Sequence, residues 1–569
     1  MLDLLITGAE LVDGTGAPRR RADVGVRDGR IVALGKIDEP ARRTVDADGR
    51  IVAPGFIDPH THYDAQILWD AGVSPSPLHG VSTIVGGNCG FTIAPVVPET
   101  TDYITRMLAR VEGMPVESLQ AAVDFGWSTF GEWLDVLEGQ VAVNAGFLVG
   151  HSTIRRLVMG AAAVGELATD DQVAAMGRMV HASLEAGALG FSSSRAESHR
   201  DHHGDPVPSR HASPAELLAL CRALRDHEGT ILEIVPSAQL YFDDAVYELL
   251  TAMSLAARRT VNWNLLGVLG GTKKIRNKLG ASDHAADHGA RVIALTMPDP
   301  QAMRLSFATG FVYDMLPDWP EVMALPADAK IRALRDPETR RRLEAASADA
   351  PWWANWPETT FAQVVAPENQ RWEGRTAGEV ARERGVGVFD ALCDVVVADN
   401  LHTGLVPLPI DDNDENWALR AELWRDPRVV IGGSDAGAHL DTIWTFNCIS
   451  SLVGPSVRDR ELIELEEAVR LVTDVPARMY GLRQRGRVQI GWHADLVVFD
   501  PETFGPEPVR TAADLPAGGE RLVGGATGLD HLFVNGVEIV RGQEYTGERP
   551  GTVLRSGRDT VTVPIPADQ

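Results

Sequence analysis

Apolar strand-like segments alternate with longer amphipathic segments through the middle of this 569-residue chain. Residues 143–149, 188–191 and 230–235 have the length and apolar character of buried strands, whereas 169–185 and 213–228 have the period of amphipathic helices. This alternation predicts a parallel sheet, because each helix returns the chain to the edge from which the next strand starts. About eight such units fit the region, so we expect a distorted (β/α)8 barrel with its site at the carboxyl ends of the strands.

Short strands and tight turns occupy both ends of the chain. Residues 22–26 and 495–500 have strand character, and Asn535 and Gly536 form a dipeptide that is typical of a hairpin turn. Because the termini of a domain tend to lie close together, we expect the two ends to pair with each other. The sequence therefore predicts a β-sandwich domain formed by 1–54 and 483–569, and a barrel domain at 55–482.

One segment interrupts the alternation of strands and helices. Residues 301–375 are rich in Trp, Pro, Arg and Glu, and they contain a helix-like stretch at 337–346. We interpret this segment as an inserted helical subdomain that forms a lid over the mouth of the barrel. A solvated helical decoration of the surface would explain the same composition, and the sequence does not separate these two alternatives.

Charge and cysteine usage restrict the cellular setting and the partners. The formal net charge of -26 disfavours nucleic acid and anionic membranes as partners, because both require a positive protein surface. No signal peptide or membrane-spanning run is found. The four cysteines are scattered, which favours a reducing cytoplasm over a disulfide framework. We therefore expect a cytoplasmic protein that binds a small molecule.

His60 and His62 end the segment PGFIDPHTH at 54–62, which follows the apolar strand 51–53. Side chains at positions i and i+2 of an extended segment point the same way, so both imidazoles can reach one metal ion. Imidazole is a common ligand of zinc and related metals. Two loop histidines placed by chance are the alternative, but the strand and the Pro-Gly turn before them favour metal ligands.

Three further side chains follow predicted strands. Asp435, in GGSDAGAH at 432–439, can bind a metal, carry the proton of an attacking water, or cap a helix. Cys89, in GGNCG at 86–90, can supply a thiolate to zinc, although a buried inert cysteine is the more common situation. His151 can polarise a substrate carbonyl, or it is a hydrogen-bonded histidine at a strand end.

Longer motifs surround these residues, namely GNCGFTIAP at 87–95, GSD at 433–435 and ADLVVFD at 494–500. Together with 54–62 they resemble the amidohydrolase superfamily, and within it the D-aminoacylase (N-acyl-D-amino-acid deacylase) branch, over nearly the whole chain. The resemblance implies a TIM-type barrel, a β-sandwich made from both termini, and a dimer or larger homo-oligomer. It also implies a zinc site lined by His60, His62, Cys89 and Asp435.

The chain departs from this branch at two strands. Glu233 stands in strand 230–235 where the branch has a histidine, and Asn264 (or Leu265) replaces a second histidine in strand 261–266. No lysine follows Asn264 to hold a substrate carboxylate. We therefore expect Asn264 and Arg195 to contact the substrate. We also expect a metal site whose ligands differ from those of the branch.

The altered metal site predicts one Zn²⁺ ion, held by His60, His62 and Asp435 with Cys89 or Glu233. A second ion or another divalent metal is an open alternative. Glu233 could instead act as a base or pair with an arginine such as Arg195.

The expected reaction is hydrolysis of an amide bond in a small molecule. A metal-bound hydroxide attacks the carbonyl, and Asp435 carries the proton to the leaving nitrogen. Because the carboxylate-binding lysine is missing, a lactone, carbamate, cyclic imide or aromatic amide is an alternative substrate. A non-catalytic metal-binding relic is a third hypothesis, against which the retention of His60, His62 and Asp435 argues.

Overall fold

The computed structural model describes residues 1–300, 303–308, 311–348 and 352–568. Strands and helices alternate in it, which confirms the predicted mixed α/β class. Gln301, where the predicted insertion starts, lies outside the described residues. None of the helices within the described ranges combines the length and the apolar character that are needed to cross a bilayer.

Parallel strands form two sheets, and all of these strands come from the middle of the chain except Val553–Leu554, which comes from its C-terminal end. The larger sheet has six strands, in the spatial order Val429–Ile431, Val292–Thr296, Val261–Trp263, Ile231–Val235, Gly190–Ser194 and Val149–Gly150. The smaller sheet has four strands, in the order Val553–Leu554, Asn144–Phe147, Val81–Gly86 and Phe56–Asp58. The parallel pairing is as expected, whereas a closed eight-stranded barrel stays a prediction.

The strand expected at 143–149 is interrupted at Leu148. The Leu148 N–H donates to the Gly86 carbonyl (3.0 Å), and Asn144–Phe147 and Val149–Gly150 pair in different sheets. Local apolar character does not reveal this break, because both halves are fully buried.

Helices follow the strands of the two sheets, and their starts are capped as the sequence suggests. The Thr169 side chain accepts from the Gln172 N–H, and the Ser213 side chain accepts from the Glu216 N–H. The helices outside the insertion are Pro98–Val111, Val116–Ala122, Phe130–Leu137, His151–Met159, Asp170–Glu185, Pro214–Arg222, Asp244–Ala257, Gly271–Asp287, Asp414–Trp424, Cys448–Val453, Pro455–Arg458, Leu465–Leu471 and Asp474–Tyr480.

A nine-stranded sheet joins the two ends of the chain. Leu496–Phe499 pairs antiparallel with Ile51–Pro54, with Val497 opposite Ala53. Its strands are Leu2–Leu11, Arg20–Arg27, Arg30–Gly35, Ala41–Asp46, Ile51–Pro54, Leu496–Phe499, Leu529–Val534, Val537–Arg541 and Glu544–Tyr545. The expected pairing of the ends is observed, and the division into a separate β-sandwich domain stays a prediction.

The inserted segment has an apolar core of its own. Buried residues from Met303 to Leu405 form one cluster centred on Trp319, whose ring stacks on Tyr313 at a centroid distance of 4.9 Å. The expected helix is present as Pro337–Ala346. The elements of this unit are Trp319–Met323, Ala327–Arg335, Pro337–Ala346, Thr360–Gln363, Ala377–Arg384, Val388–Ala398 and Gly404–Val406. The cluster thus continues beyond residue 375, where the sequence suggested an end.

Candidate metal centre

His60 and His62 project from the segment that follows strand Phe56–Asp58. Both side chains are buried, and their ring centroids lie 5.3 Å apart. The His60 N–H donates to Asp58 Oδ1 (3.4 Å), and the Ser434 hydroxyl donates to Asp58 Oδ2 (2.6 Å). Asp58 therefore ties the histidine segment to the loop that carries Asp435.

Cys89 and Asp435 both reach the Nε2 atoms of the two imidazoles. Cys89 Sγ lies 3.4 Å from His60 Nε2 and 3.9 Å from His62 Nε2. Asp435 Oδ1 lies 3.1 Å from His60 Nε2 and 3.4 Å from His62 Nε2. Two nitrogens, one sulfur and one oxygen thus converge from three segments that are distant in the sequence.

The two donors that are not histidines have left-handed backbone conformations. The φ angle is 57° at Cys89 and 52° at Asp435. Such a conformation costs a residue with a Cβ on the order of 1 kcal/mol or more, and it persists where the surrounding structure holds it for a function. Cys89 follows strand Val81–Gly86 and Asp435 follows strand Val429–Ile431. At each position the left-handed backbone accompanies a side chain that points towards the imidazoles.

The donor set fits a divalent cation. Histidine nitrogen, cysteine sulfur and carboxylate oxygen are the ligands that zinc uses in proteins, and the ligand atoms of His60, His62 and Cys89 lie within 4.8 Å of one another. Asp435 Oδ1 is buried and has no hydrogen-bond partner within the described chain, a need that a cation would satisfy. Burial raises the pKa of Asp435, but the close approach of the His60 and His62 imidazoles to its Oδ1 holds that pKa well below its usual range.

Glu112 is a member of this site that sequence reasoning missed. Its Oε1 lies 3.2 Å from His62 Nδ1, and both side chains are 4% exposed. Burial disfavours a protonated His62, but the carboxylates of Glu112 and Asp435 raise the pKa of His62 to about 9. Glu112 follows helix Pro98–Val111 in a stretch without any motif, so no local signal marks it.

Glu233 lies on the Nδ1 side of His60. Its Oε1 is 4.0 Å from His60 Nδ1, and its Oε2 accepts from the Cys89 N–H (2.8 Å). Burial raises the pKa of Glu233 to about 8. The structure therefore pairs Glu233 with Cys89 and His60, and not with Arg195.

Asn264 lies close to the donors, whereas Arg195 contacts a different loop. Asn264 Nδ2 is 3.4 Å from His60 Nε2, and Asn264 Oδ1 is buried without a partner in the described chain. The Arg195 guanidinium donates to the Ala212 carbonyl (3.2 Å). The substrate-binding roles expected for both residues stay predictions.

His151 occupies a buried polar network. Its Nδ1 contacts the Ser193 hydroxyl (2.9 Å), and its Nε2 contacts Glu216 Oε1 (3.1 Å), which also accepts from Arg155. Both ring nitrogens are engaged and the side chain is fully buried. This geometry differs from the expected role as a group that polarises the substrate, because neither nitrogen faces a free space.

A cavity of about 660 Å³ lies between helix Pro98–Val111, the inserted unit and residues 511–521. Its lining includes Gly113, Asp441 and Arg304. Arg521 lines both this cavity and a small pocket that contains Asp435. None of the four donors lines the larger cavity, which adjoins the loop that carries Asp435 through Asp441 and Arg521.

Known proteins resemble this chain over almost its whole length. The sequence profile of the amidohydrolase family matches residues 43–523. A D-aminoacylase of Alcaligenes xylosoxydans xylosoxydans is 30% identical over 558 residues, covering 97% of each chain. An N-acyl-D-aspartate deacylase of the same organism is 30% identical over 566 residues, covering 98% of this chain and 95% of the relative.

Solved structures show the same relationship. A crystal structure of D-aminoacylase superposes with a TM-score of 0.65 at 27% identity, covering 98% of this chain and 100% of the other. An N-acyl-D-glutamate deacylase from Bordetella bronchiseptica, complexed with zinc and a phosphonate inhibitor, superposes with a TM-score of 0.65 at 26% identity, covering 97% and 99%.

Proposed function

This chain belongs to the amidohydrolase family, and from that premise we propose that its site hydrolyses an amide bond of a small molecule with Asp435 moving the proton. The chain is a metal-dependent enzyme of the D-aminoacylase-like branch, acting on carbon–nitrogen bonds other than peptide bonds. The observation that carries the proposal is the convergence of His60 Nε2, His62 Nε2, Cys89 Sγ and Asp435 Oδ1.

The residues that would hold the cation are His60, His62, Cys89 and Asp435, and we assign them one Zn²⁺ ion. Such a cation lowers the pKa of a water molecule and polarises the carbonyl of the substrate. Glu233 supports the site from the Nδ1 side of His60, because its two oxygens face His60 and the Cys89 N–H.

Asp435 is the residue that moves the proton. Its Oδ1 faces the two imidazoles, which leaves Oδ2 to accept the proton of the attacking water. The side chain is 31% exposed, so a substrate can reach it, unlike the buried Glu112 and Glu233. Asp435 Oδ2 then delivers the proton to the leaving nitrogen.

In this proposal His151 has a structural role through its hydrogen bonds. Its hydrogen bonds to Ser193 and Glu216 hold the ends of strand Gly190–Ser194 and helix Pro214–Arg222 together. Asn264 is left as the polar side chain beside His60 that can contact a substrate, since its Oδ1 has no partner in the described chain.

The cavity of about 660 Å³ is the proposed chamber for the substrate, since small-molecule sites typically measure about 300–1,000 Å³. Arg304, Ser306 and Ala308 of the inserted unit line it, which supports a lid role for that unit. Relatives are named for N-acyl-D-amino acids, but the missing lysine keeps lactones, carbamates, cyclic imides and aromatic amides as alternative substrates.

The arrangement of domains is part of the proposal. Thr61 forms a parallel bridge with Ala436, which brings the segments after strands Phe56–Asp58 and Val429–Ile431 together. This contact supports a closed barrel at 55–482 with the centre at the carboxyl ends of its strands, beside a β-sandwich formed by 1–54 and 483–569. Strand Val553–Leu554 departs from this division, because it pairs with Asn144–Phe147 of the parallel sheet.

Metal removal tests the proposed function. We expect a chelator to abolish hydrolysis of N-acyl-D-amino acids or of neutral amides, and added Zn²⁺ to restore it. The purified protein should contain one ion per chain by elemental analysis. Hydrolysis that continues after complete metal removal would contradict the proposal, and a substrate panel including lactones and esters identifies the bond that is cleaved.

A further inference from the structure

Glu112 contacts the metal centre through its side chain. Its carboxylate Oε1 lies 3.2 Å from His62 Nδ1, on the side of the ring opposite to the Nε2 atom that faces Cys89 and Asp435. Glu112 Oε1 makes no hydrogen bond of standard geometry within the described chain. The contact that brings it to the metal centre is therefore the one with His62 Nδ1 at 3.2 Å.

The backbone at Glu112 contacts the loop that carries Asp435, on the other side of the metal centre from the histidine segment. The Glu112 carbonyl accepts a hydrogen bond from the His439 N–H, four residues after Asp435. At Gly113, with φ of 58°, a Cβ would lie 3.0 Å from the His439 Cα, so the two segments are in close contact. Residues 112 and 113 thus join the histidine segment to the loop that carries Asp435.

A carboxylate on the outer nitrogen of a histidine has a defined effect on metal binding. It accepts the Nδ1–H, which fixes the tautomer with a free lone pair on Nε2 and makes that nitrogen a stronger donor. The equivalent contact at His60 is longer, because Glu233 Oε1 lies 4.0 Å from His60 Nδ1 and Glu233 Oε2 is already bonded to the Cys89 N–H.

We propose that Glu112 is a positioning residue that orients His62 for metal binding. It also links the segment that carries His60 and His62 to the loop that carries Asp435. Its effect on metal affinity is larger than that of Glu233. This inference rests on the proposed metal centre. In this role Glu112 contacts His62 and does not contact a substrate.

Two substitutions separate the negative charge of Glu112 from the contact of its side-chain oxygen with His62 Nδ1. Glu112→Gln keeps an oxygen that accepts the Nδ1–H but loses the charge, and Glu112→Leu removes both. Glu99→Gln, at the exposed start of helix Pro98–Val111, is the matched control for the loss of one negative charge. Glu233→Gln provides the comparison at the other imidazole.

The measurements are the Kd for Zn²⁺ by competition with a chromophoric chelator, the visible spectrum of the Co²⁺-loaded protein, and the thermal midpoint of the metal-free protein. We expect Glu112→Leu to weaken Zn²⁺ binding about 10- to 100-fold, Glu112→Gln to weaken it less, and Glu99→Gln to leave it unchanged. The Co²⁺ bands should shift in both Glu112 variants, because the position of the His62 imidazole changes.

Several results would overturn the inference. One is a Glu112→Leu protein that is folded by its thermal midpoint and binds Zn²⁺ as tightly as the parent chain. Another is a greater loss in Glu233→Gln than in Glu112→Gln. If Glu112→Leu does not fold, an unchanged Kd and Co²⁺ spectrum in Glu112→Gln overturn it. If the parent chain does not bind Zn²⁺, both the inference and the proposed function are contradicted. If Glu112→Leu binds Zn²⁺ more weakly than the parent chain but the parent chain hydrolyses no amide, the inference is supported and the proposed function is not.

Discussion

His60 Nε2 and Asp435 Oδ1 lie 3.1 Å apart, although the two residues follow strands at opposite ends of the parallel-strand region. Short hydrogen bonds hold this pair together, from the Ser434 hydroxyl to Asp58 Oδ2 (2.6 Å) and from the His62 N–H to the Ala436 carbonyl (2.8 Å). The position of the carboxylate beside the imidazoles is therefore set by the backbone and by a buried aspartate, which makes the roles of these groups testable.

Removing the proton-accepting ability of Asp435 should lower turnover. Asparagine has the same size and can contact the imidazoles, but it cannot take a proton from water. We expect kcat of Asp435→Asn to fall by about 100-fold or more at saturating Zn²⁺, measured by release of the amine product. Asp102→Asn, an exposed aspartate, is the control. Unchanged kcat in a metal-loaded Asp435→Asn protein would rule out Asp435 as the proton carrier.

Restoring two imidazoles should create a second metal site. Asn264 Nδ2 lies 3.4 Å from His60 Nε2, on the side of the proposed ion, whereas Glu233 Oε1 lies 4.0 Å from His60 Nδ1 and its Oε2 accepts from the Cys89 N–H. Side chains at both positions are therefore adjacent to donors of the proposed centre. We expect the Glu233→His/Asn264→His double variant to bind two Zn²⁺ ions per chain by elemental analysis, and the parent chain to bind one. Each single variant serves as a control, and a double variant that still holds one ion contradicts the expectation.

Neutralising Glu538 should weaken the sheet that joins the chain ends. Glu538 Oε1 contacts Arg43 (2.8 Å) and His531 (2.5 Å), while Oε2 contacts Arg541 (2.5 Å). Burial favours the neutral acid, but these partners hold the pKa of Glu538 well below its usual range. Glu538 is buried but Arg43 and Arg541 are partly exposed, so loss of this charge costs about 1 kcal/mol, and we expect Glu538→Gln to lower the thermal midpoint at pH 7.

The sign of the pH dependence follows from the lowered pKa of Glu538. Its contribution is fully present above the pKa in the unfolded chain, about 4.3, and it is lost as the pH falls through the folded-state value. The difference in thermal midpoint between parent and Glu538→Gln should therefore be largest near neutrality and narrow below about pH 4.3. Glu544→Gln, an exposed position of the same sheet, is the control; a constant difference down to pH 3 would be inconsistent with this cause.

Truncating Trp319 should destabilise the inserted unit selectively. Trp319 is fully buried, stacks on Tyr313 and Trp356, and donates from Nε1 to the Leu343 carbonyl (3.0 Å). Trp→Ala substitutions in a core cost about 3 kcal/mol or more. We expect limited proteolysis of Trp319→Ala to cut first within 303–405, before the strands of the metal centre. Met315→Ala, a substitution at an exposed position, should be cleaved like the parent chain. If Trp319→Ala is cleaved at the same sites and rates along the whole chain as the parent chain, the inserted unit is not packed separately.

Local patterns predicted the parts of the site whose geometry is local. The spacing of His60 and His62 on an extended segment was sufficient to direct both imidazoles to one point. The motifs around Cys89 and Asp435 placed them at strand ends, where parallel strands bring side chains together. The structure brings all four side chains into contact.

Contacts between distant segments were decided only in the folded chain. Glu112 carries no motif, and it meets His62 because helix Pro98–Val111 ends beside the histidine segment. His151 directly follows strand Val149–Gly150 and begins helix His151–Met159, and Glu216 on another helix contacts its Nε2. The inserted unit extends to residue 405, because Thr360–Gln363 pairs with Gly404–Val406.

The sequence by itself determined the mixed α/β class, the pairing of the two ends and the common direction of His60 and His62, because periodicity and short motifs are properties of neighbouring residues. That Cys89 and Asp435 would join the two histidines was implied by the family resemblance. Tertiary structure decided which carboxylate supports each imidazole and which polar groups remain open to a ligand. Those outcomes depend on burial and on hydrogen bonds between segments far apart in the chain, and a buried polar group takes whichever partner packing places within reach.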